Sequence, residues 1–401
     1  MITALDWTLA AAGAPALAAS LYLLLLTVLS RREASRPPAL PGTRFCILVP
    51  AHNEEHGLPA TIGSLRAIEY PADLFRIVVV ADNCTDHTAL VARSHGAHVI
   101  IRRDDARRGK GWALQHAIET LLAPDAGIAW DALVVIDADT VVAPNLLREV
   151  ASHLASGEVA VQAAYLPAPC GDGAIAVITD VAFAAFHVVR SAARERLGLS
   201  CGLRGNGMAF SRALLREVPH AAFSKTEDLE FGVQLGLRGV RVAFAGGARV
   251  WGDMPERQAV VATQRERWIG GRFAMARRFV PTLLRRAFRD RSPMLADLAA
   301  DLMTPPLSLL SLASIAGLAA SGALALAKGG PTWSGIVWAV AFAGLGLHVV
   351  EAARLAGRGR DLVRAAGALP GYALRRAATA VRALRRAEDT WIRTARKGEQ
   401  R

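Results

Sequence analysis

Cysteine is scarce in this sequence, and its spacing excludes two classes of stabilised site. The four cysteines are Cys46, Cys84, Cys170 and Cys201, and none of them forms a CxxC pair. Zinc ribbons use CxxC pairs, and disulfide frameworks are typical of short, cysteine-rich secreted chains. We therefore expect neither, and we predict reduced cysteines of the kind found in the cytosol.

Charged residues are absent from three long stretches, although they make up 20% of the chain. These stretches are 8–30, 302–327 and 329–350. Each is long enough to cross a bilayer as a helix, which takes about 20 apolar residues. The first predicts a retained span rather than a cleaved signal peptide, because residues 1–6 carry no Lys or Arg. The other two predict a transmembrane hairpin, with a buried soluble helical pair as the alternative.

The chain has fewer acidic than basic residues, and most of the excess positive charge lies near the end of the chain. The whole chain has a formal net charge of +12. Residues 351–401 hold 13 Lys and Arg against 5 Asp and Glu, a net charge of +8. A basic cluster directly after an apolar span is attracted to anionic lipid head groups. The placement therefore favours a membrane surface as partner and argues against nucleic acid.

Arginines mark the ends of the apolar stretches. They are Arg31, Arg32 and Arg36 after the first, Arg285, Arg286, Arg289 and Arg291 before the hairpin, and Arg354, Arg358, Arg360 and Arg364 after it. Positively charged flanks stay in the cytoplasm. We therefore predict a multi-pass protein of the inner (cytoplasmic) membrane, with the domain between the spans in the cytoplasm.

The chain divides into four predicted parts. They are an anchor (1–36), a large domain (37–285), an interfacial segment with the hairpin (286–354) and a basic tail (355–401). In the tail, apolar residues at helical spacing alternate with arginines over 372–396, which predicts an amphipathic helix on the membrane. A helix packed against the large domain is the alternative.

The large domain alternates strand-like apolar runs with helical patterns. Strands are predicted at 45–50, 76–82, 98–103, 132–137, 159–166 and 240–246, and helices near 56–68, 85–95, 109–122 and 144–155. Such alternation predicts an α/β fold with a mostly parallel sheet. Ligands of these sheets bind beyond the carboxyl ends of the strands.

Acidic residues follow three of the predicted strands. Glu54 comes after the strand that ends at Pro50, and Asp82 ends the next one. Asp137 and Asp139 follow a strongly apolar strand, and carboxylates this close repel each other unless a cation lies beside them. Mg²⁺ or Mn²⁺ would relieve the repulsion and could hold a diphosphate. Ordinary helix capping and a surface turn are the alternatives.

Two further segments offer groups for phosphate and for proton transfer. Lys110 lies between glycines at a predicted helix start, where backbone N–H groups favour phosphate. Thr226-Glu227-Asp228 begins another helical segment. A carboxylate there could take the proton of an acceptor hydroxyl, or the acids could merely favour the helix start.

The segment 264–268 combines two kinds of contact. Gln264 and Arg267 offer hydrogen-bond donors for phosphate oxygens, and Trp268 offers a flat apolar face for a sugar ring. A basic helix lying on the membrane is the alternative.

Taken in order, these residues resemble the family-2 glycosyltransferases. The series is Pro50 with Glu54, Asp82, Asp137-x-Asp139, Thr226-Glu227-Asp228 and Gln264-x-x-Arg267-Trp268. That family has the GT-A fold, which is Rossmann-like, and includes cellulose, chitin, hyaluronan and poly-N-acetylglucosamine synthases. The resemblance covers roughly residues 44–280.

The resemblance implies a role for each segment. Pro50, Glu54 and Asp82 would hold the base and ribose of a nucleotide sugar, Asp137 and Asp139 would serve donor and metal, and Asp228, beside Glu227, would be the catalytic base. Asn206 and Gly207 look like part of an acceptor-side loop, and Gln264, Arg267 and Trp268 would bind the diphosphate and the acceptor. Ala81 stands where many members have a second acid, so the resemblance implies fewer contacts to the nucleotide base here.

The membrane part departs from the polymer-extruding members of the family, because three spans in one chain cannot enclose a channel. Either subunits associate as a homo-oligomer, another protein exports the product, or a single sugar is added to a lipid. Ceramide glucosyltransferases are similar in motif order and illustrate the last option. We expect an inverting transferase of exopolysaccharide or glycolipid synthesis. A processive synthase and a catalytically silent nucleotide-sugar-binding scaffold are the alternatives.

The arginine pattern generates a prediction about topology. A reporter fused after Arg401 should be active only as a cytoplasmic fusion, and one inserted between Gly329 and Gly330 should report the opposite side. Paired cytoplasmic and exported reporters at both sites measure this. The reverse pattern would place the large domain away from a cytoplasmic donor.

Overall fold

The chain begins with one long apolar helix and then enters a mixed α/β domain. The structure, a computed structural model, describes residues 2–31, 40–169, 171–253 and 258–385, with backbone only at 258–263 and 383–385. Arg32, Arg36, Cys170 and the predicted tail beyond residue 385 lie outside the described residues. Helix α1 spans Ile2–Leu29.

The α/β domain contains the following elements. The strands are β1 Phe45–Ala51, β2 Phe75–Asp82, β3 His98–Arg102, β4 Ala132–Val135, β5 Thr140–Val142, β6 Ala160–Pro167, β7 Met208–Ser211 and β8 Ala243–Gly252. The helices are α2 Leu58–Arg66, α3 Thr88–Ser94, α4 Lys110–Leu122, α5 Leu146–Ala155, α6 Ala174–Phe183, α7 Arg190–Arg196, α8 Arg212–Glu217 and α9 Glu227–Leu237. A π-helical turn, Ala184–Val189, joins α6 to α7.

These strands form one sheet in the order β3-β2-β1-β4-β7-β6-β8-β5. The pairs β3–β2, β2–β1, β1–β4 and β6–β8 are parallel. Strand β7 runs antiparallel between β4 and β6, and β5 is antiparallel to β8. The predicted α/β fold with a mostly parallel sheet is confirmed, and the antiparallel strands β5 and β7 are additions to it.

The core lies on both faces of the sheet, because successive side chains of a strand point to opposite faces. On β1, Phe45, Ile47 and Val49 pack into one cluster, and Cys46 and Leu48 pack into the other. All five are essentially inaccessible to solvent. A strand buried on both faces carries an apolar run, which is why the parallel strands could be predicted from sequence.

The described chain from residue 258 to residue 385 is mostly helical. The elements are α10 Gln258–Arg289, α11 Pro293–Met303, α12 Leu307–Lys328, α13 Trp333–Leu355, α14 Gly359–Ala365 and α15 Leu369–Arg385. By length and composition, α1, α12, α13 and the segment Ala174–Arg196 are long and apolar enough to cross a membrane. The first three correspond to the predicted spans. The fourth was not predicted.

Helices α1 and α13 pack closely through small and polar residues. A Cβ on Gly344 would lie 3.3 Å from the Ser20 carbonyl oxygen, so the two backbones nearly touch. The Asp6 carboxylate accepts hydrogen bonds from the backbone N–H groups of Trp333 and Ser334, which begin α13. Helix α15 lies against α10 and α12. The predicted tail helix is confirmed over its described part, and it contacts both a helix assigned to the large domain and one of the predicted spans.

Candidate active site

The loops after β1 and β2 lie side by side at the carboxyl edge of the sheet. Asn53 Nδ2 donates to Thr85 Oγ1 at 3.0 Å, and the backbone N–H of Thr85 donates to Asn53 Oδ1 at 2.8 Å. The backbone N–H of Glu54 donates to Thr88 Oγ1 at 2.8 Å, and Glu54 is nearly buried. Pro50 lies in β1 just before this loop. Pro50 and Glu54 therefore both lie beside the end of β2.

The Asp82 carboxylate is buried against a residue that the sequence analysis did not single out. Arg102 Nη1 donates to Asp82 Oδ1 at 2.6 Å, and Arg102 Nη2 donates to Asp104 Oδ2 at 3.1 Å. Burial raises the pKa of Asp82, and the charge of Arg102 opposes that rise without cancelling it. Asp82 and Arg102 are register partners in β2 and β3, so only the strand pairing identifies Arg102.

The ammonium group of Lys110 lies at the centre of the site. Its Nζ donates to Asp137 Oδ1 and to the Gly205 carbonyl, both at 2.5 Å, and lies 3.8 Å from Glu227 Oε1. Burial lowers the pKa of Lys110, but the charges of Asp137 and Glu227 outweigh burial and raise it. One cation therefore brings together three segments that are distant in the sequence.

Glu227 and Asp228 begin α9 beside Lys110. Burial raises the pKa of Glu227 to about 7, with Lys110 opposing the rise and Asp228 adding to it. Burial also raises the pKa of Asp228, against the backbone N–H of Leu229 and the charge of Lys110. A carboxylate with a raised pKa is a better proton acceptor for general-base work near neutral pH.

The loop 204–207 passes between Asp137 and Asp228. Gly205 and Gly207 have φ angles of 83° and 70°, a region that glycine adopts at no steric cost. A Cβ on Gly205 would lie 3.1 Å from Asp228 Oδ2, so the backbone reaches the carboxylate. Asn206 is fully buried, and its Oδ1 accepts from the backbone N–H of Asp137 at 3.2 Å. The Asn206 side chain therefore holds the loop against the strand end.

Asp139 is half-buried between β4 and β5. Its backbone carbonyl accepts from the N–H of Asp253 at 3.0 Å, which sets Asp253 beside it as an acid that sequence reasoning missed. Among the residues that the structure describes, no group of three or more His, Cys, Asp or Glu is arranged to hold a metal ion. Asp137 and Asp139 offer carboxylate oxygens, the ligand type that Mg²⁺ prefers, and Mg²⁺ commonly keeps water and substrate phosphates as its other ligands.

Helix α10 brings the last predicted residues to this edge. A Cβ on Gly271 would lie 2.5 Å from Thr226 Cγ2, so α10 touches the residue directly before α9. Gln264, Arg267 and Trp268 lie on the preceding turns and are partly buried. Arg267 Nε has no hydrogen-bond partner among the described residues.

Tyr165, Phe183, His187 and Trp268 form an aromatic wall at this edge. Phe183 meets Trp268 edge-on, with 6.2 Å between ring centroids, and stacks on His187 at 5.0 Å. Tyr165 of β6 meets His187 at 5.2 Å. His187 lies in the π-helical turn, and such turns are frequent at functional sites. A Cβ on Gly252 would lie 2.8 Å from Tyr165 Oη, so the wall reaches the end of β8.

Known proteins resemble the chain over this region. A family model described as glycosyltransferase like family 2 matches residues 41–271. The beta-monoglucosyldiacylglycerol synthase of Synechocystis sp. is 28% identical over 279 residues, which is 64% of this chain and 55% of that protein. The probable glycosyltransferase YdaM of Bacillus subtilis is 24% identical over 237 residues, which is 57% of this chain and 55% of that protein. The chain thus spans about half the length of these relatives.

A solved structure supports the fold. The mannosyltransferase PcManGT of Pyrobaculum calidifontis, described in complex with GDP-Man and Mn²⁺, superposes with a TM-score of 0.56. The match covers 88% of this chain and 98% of that chain at 20% identity.

We expect Arg102→Met to destabilise the protein, because it leaves the Asp82 carboxylate buried without its cation. Removing one partner of a buried pair costs about 3–5 kcal/mol. Arg44→Met is the matched control, because the Arg44–Asp131 pair is as short, 2.7 Å, but its side chains are 48% and 44% exposed. Denaturant unfolding of both variants measures the difference. Equal losses of stability would contradict the argument from burial.

Proposed function

The chain belongs to the glycosyltransferase-like family 2, and from that premise we propose that it transfers a sugar from a nucleotide-diphosphate donor, a UDP-sugar in the first instance, to an acceptor at the cytoplasmic face of a membrane. The observation that carries the proposal is the convergence of Asp137, Glu227 and the Gly205 carbonyl on Lys110, with Asp228 against the same loop. Sugar transfer to a hydroxyl needs a base for the acceptor and positive charge for the leaving diphosphate. Both lie within this one cluster.

The donor is assigned to the loops after β1 and β2. Pro50 and Glu54 would contact the nucleotide base and ribose, with Asp82 held in place by Arg102 at 2.6 Å. Lys110 would meet the diphosphate, because it begins α4 and the N-terminus of a helix favours phosphate groups.

Asp137 and Asp139 would hold a divalent cation together with the diphosphate. A bound Mg²⁺ or Mn²⁺ would neutralise negative charge on the departing nucleotide diphosphate. The similar mannosyltransferase is described with Mn²⁺. That description supports a divalent cation and leaves the choice between the two ions to experiment.

Asp228 is assigned as the base. It would take the proton of the acceptor hydroxyl while the hydroxyl oxygen bonds to the anomeric carbon of the donor. The bond from that carbon to the diphosphate oxygen breaks, and its electron pair leaves with the diphosphate. A single displacement of this kind inverts the anomeric configuration. Glu227 keeps Lys110 near the reacting groups, and Asn206 and Gly207 keep the loop in place.

The acceptor would approach along the aromatic wall from the membrane side. The π-helical turn contacts both β6 and α13, and α7 contacts both β8 and α1. The helical segment from the π-helical turn to the end of α7 therefore connects the membrane helices to the sheet edge at which Trp268 lies. Gln264 and Arg267 lie on the same helix as Trp268, α10. This placement favours a lipid, or a glycan carried on one, as acceptor. The relative named beta-monoglucosyldiacylglycerol synthase supports the same choice.

Transfer should require a divalent cation. Excess chelator should abolish turnover with a UDP-sugar, and added Mg²⁺ or Mn²⁺ should restore it. Asp139→Asn should weaken cation-dependent donor binding, measured by calorimetry, whereas Asp131→Asn, at the exposed pair with Arg44, should not. Full activity in chelator would overturn the metal assignment.

Asp228→Asn should lower the transfer rate by ~10²–10⁴-fold, the usual contribution of a general base. Donor affinity should stay nearly constant, because base, ribose and diphosphate are assigned to other residues. If Asp228 served only to stabilise the start of α9, its interaction with the helix dipole would contribute about 0.3–1 kcal/mol to stability, and Asp228→Asn would transfer sugar at a near-normal rate. Donor affinity and transfer rate, measured side by side for Asp228→Asn and Asp131→Asn, separate the two cases. Near-normal transfer by Asp228→Asn would remove the assignment.

A further inference from the structure

A second cluster of charged side chains, which the proposed mechanism does not use, is buried between the membrane helices and the candidate active site. Its charged members are Arg190, Arg194, Arg204, Arg272, Asp297 and Asp301, and the neutral hydroxyl of Tyr22 is hydrogen-bonded to them. Arg272 is 16% exposed, and the other charged side chains are at most 8% exposed. Charges this deeply buried depend on their partners. We refer to this group as the arginine–aspartate cluster.

Asp301 is the centre of the arginine–aspartate cluster. Its Oδ1 accepts from Arg194 Nη2 at 2.8 Å and from Arg190 Nη1 at 3.4 Å. Its Oδ2 lies 3.5 Å from Arg272 Nη2 and 3.9 Å from Arg204 Nη1. Arg272 Nη2 also donates to the backbone carbonyl of Asp301. One carboxylate therefore collects guanidinium groups from α7, from the loop 204–207 and from α10.

The cluster is tied to the N-terminal membrane helix. Asp297 lies one turn before Asp301 on α11, and its Oδ1 accepts from Tyr22 Oη at 2.7 Å. Arg194 donates through Nε to Asp297 Oδ2 at 2.7 Å and through Nη2 to Tyr22 Oη at 2.6 Å. Tyr22 belongs to α1, so these bonds connect the membrane anchor to α11.

Two members of the cluster adjoin the backbone that surrounds the proposed base. Arg204 directly precedes Gly205, where a Cβ would lie 3.1 Å from Asp228 Oδ2. Arg272 directly follows Gly271, where a Cβ would lie 2.5 Å from a side chain of the residue before α9. The loop on one side of Asp228 and the helix on the other are thus held by the same carboxylate.

We propose that Asp301 is a positioning residue for sugar transfer: it fixes the loop 204–207 and helix α10 against Asp228, and couples both to the membrane anchor through Asp297 and Tyr22. This inference rests on the proposed function for the role of Asp228. Because each contact replaces water around a buried charge, moving either segment away from Asp301 would cost the pairing of Arg204 or Arg272 with that carboxylate. The geometry around Asp228 is therefore set at the junction with the membrane.

Amide hydrogen exchange of the detergent-solubilised full chain tests the coupling without a substrate. Asp301→Asn should speed exchange in peptides that cover 204–207 and 226–229, because local opening there becomes easier, and should leave β1 unchanged. Arg272→Gln, which removes the contacts of α10 with Asp301 and leaves those of Arg204 in place, should speed exchange at 226–229 alone. It replaces Asp301→Asn if that variant does not fold. Arg190→Gln is the matched control, since Arg190 contacts the same carboxylate but adjoins neither segment.

Kinetics of the same variants give a second readout. Asp301→Asn should lower kcat about 10- to 100-fold, the scale expected when a supporting contact misplaces reacting groups by about 1 Å. The KM for the donor should change less than kcat, because the loops assigned to the nucleotide base and ribose follow β1 and β2, whereas Asp301 holds α10 and the loop 204–207. Asp301→Glu, which restores the charge, should recover part of kcat.

Each outcome of these experiments counts for or against the proposed role of Asp301. Unchanged exchange at both segments in a folded Asp301→Asn or Arg272→Gln protein would overturn the inference, as would Arg190→Gln loosening them as much. Faster exchange together with a selective fall in kcat would support it. If the wild-type chain transferred no sugar, the proposed function would fail, and the exchange data would still decide whether Asp301 holds these segments.

Discussion

A single ammonium group allows the acids of the candidate site to lie close together. Carboxylates from the end of β4 and the start of α9 repel one another, and their convergence is unfavourable unless a cation lies among them. Lys110 supplies that charge to Asp137 and Glu227 and also binds the Gly205 carbonyl. The loop 204–207 can then reach the carboxylate of Asp228. The geometry of the site thus depends on where α4 begins.

The parallel half of the sheet was predictable because its signals are local. Each strand there is a short apolar run followed by a polar residue, and the predicted 45–50 and 76–82 differ from Phe45–Ala51 and Phe75–Asp82 by one residue at one end. Strands β5 and β7 have three and four residues and carry too little pattern of their own. They exist because of distant partners, as in the pairing of Val135 with Met208. The predicted site residues cluster at the carboxyl edge, but their individual roles stay predictions.

Ion pairs between residues distant in the sequence explain what sequence patterns missed. The segment Ala174–Arg196 contains Asp180, which interrupts its apolar run, and three arginines and a glutamate in its last seven residues, so its length is hidden in the sequence. In the fold, Arg358 Nε donates to Asp180 Oδ2 at 2.9 Å, across 178 positions of sequence. Arg102 was overlooked for the same reason, since its partner Asp82 lies on a neighbouring strand. A charge neutralised by a distant residue looks solvent-exposed until the fold supplies its partner.

The loop 204–207 separates clusters of opposite charge. On one side, four arginines share Asp297 and Asp301, and on the other the acids around Lys110 outnumber it. Burial raises the pKa of Asp228, while Lys110 and Arg204 oppose the rise. Burial alone would favour the neutral acid, which cannot accept a proton. The nearby positive charge keeps the carboxylate form accessible, and burial keeps its proton affinity high. Arg204 thus belongs to the arginine–aspartate cluster, which reaches α1 through Tyr22, and is also one of the charges that act on the group assigned as the base.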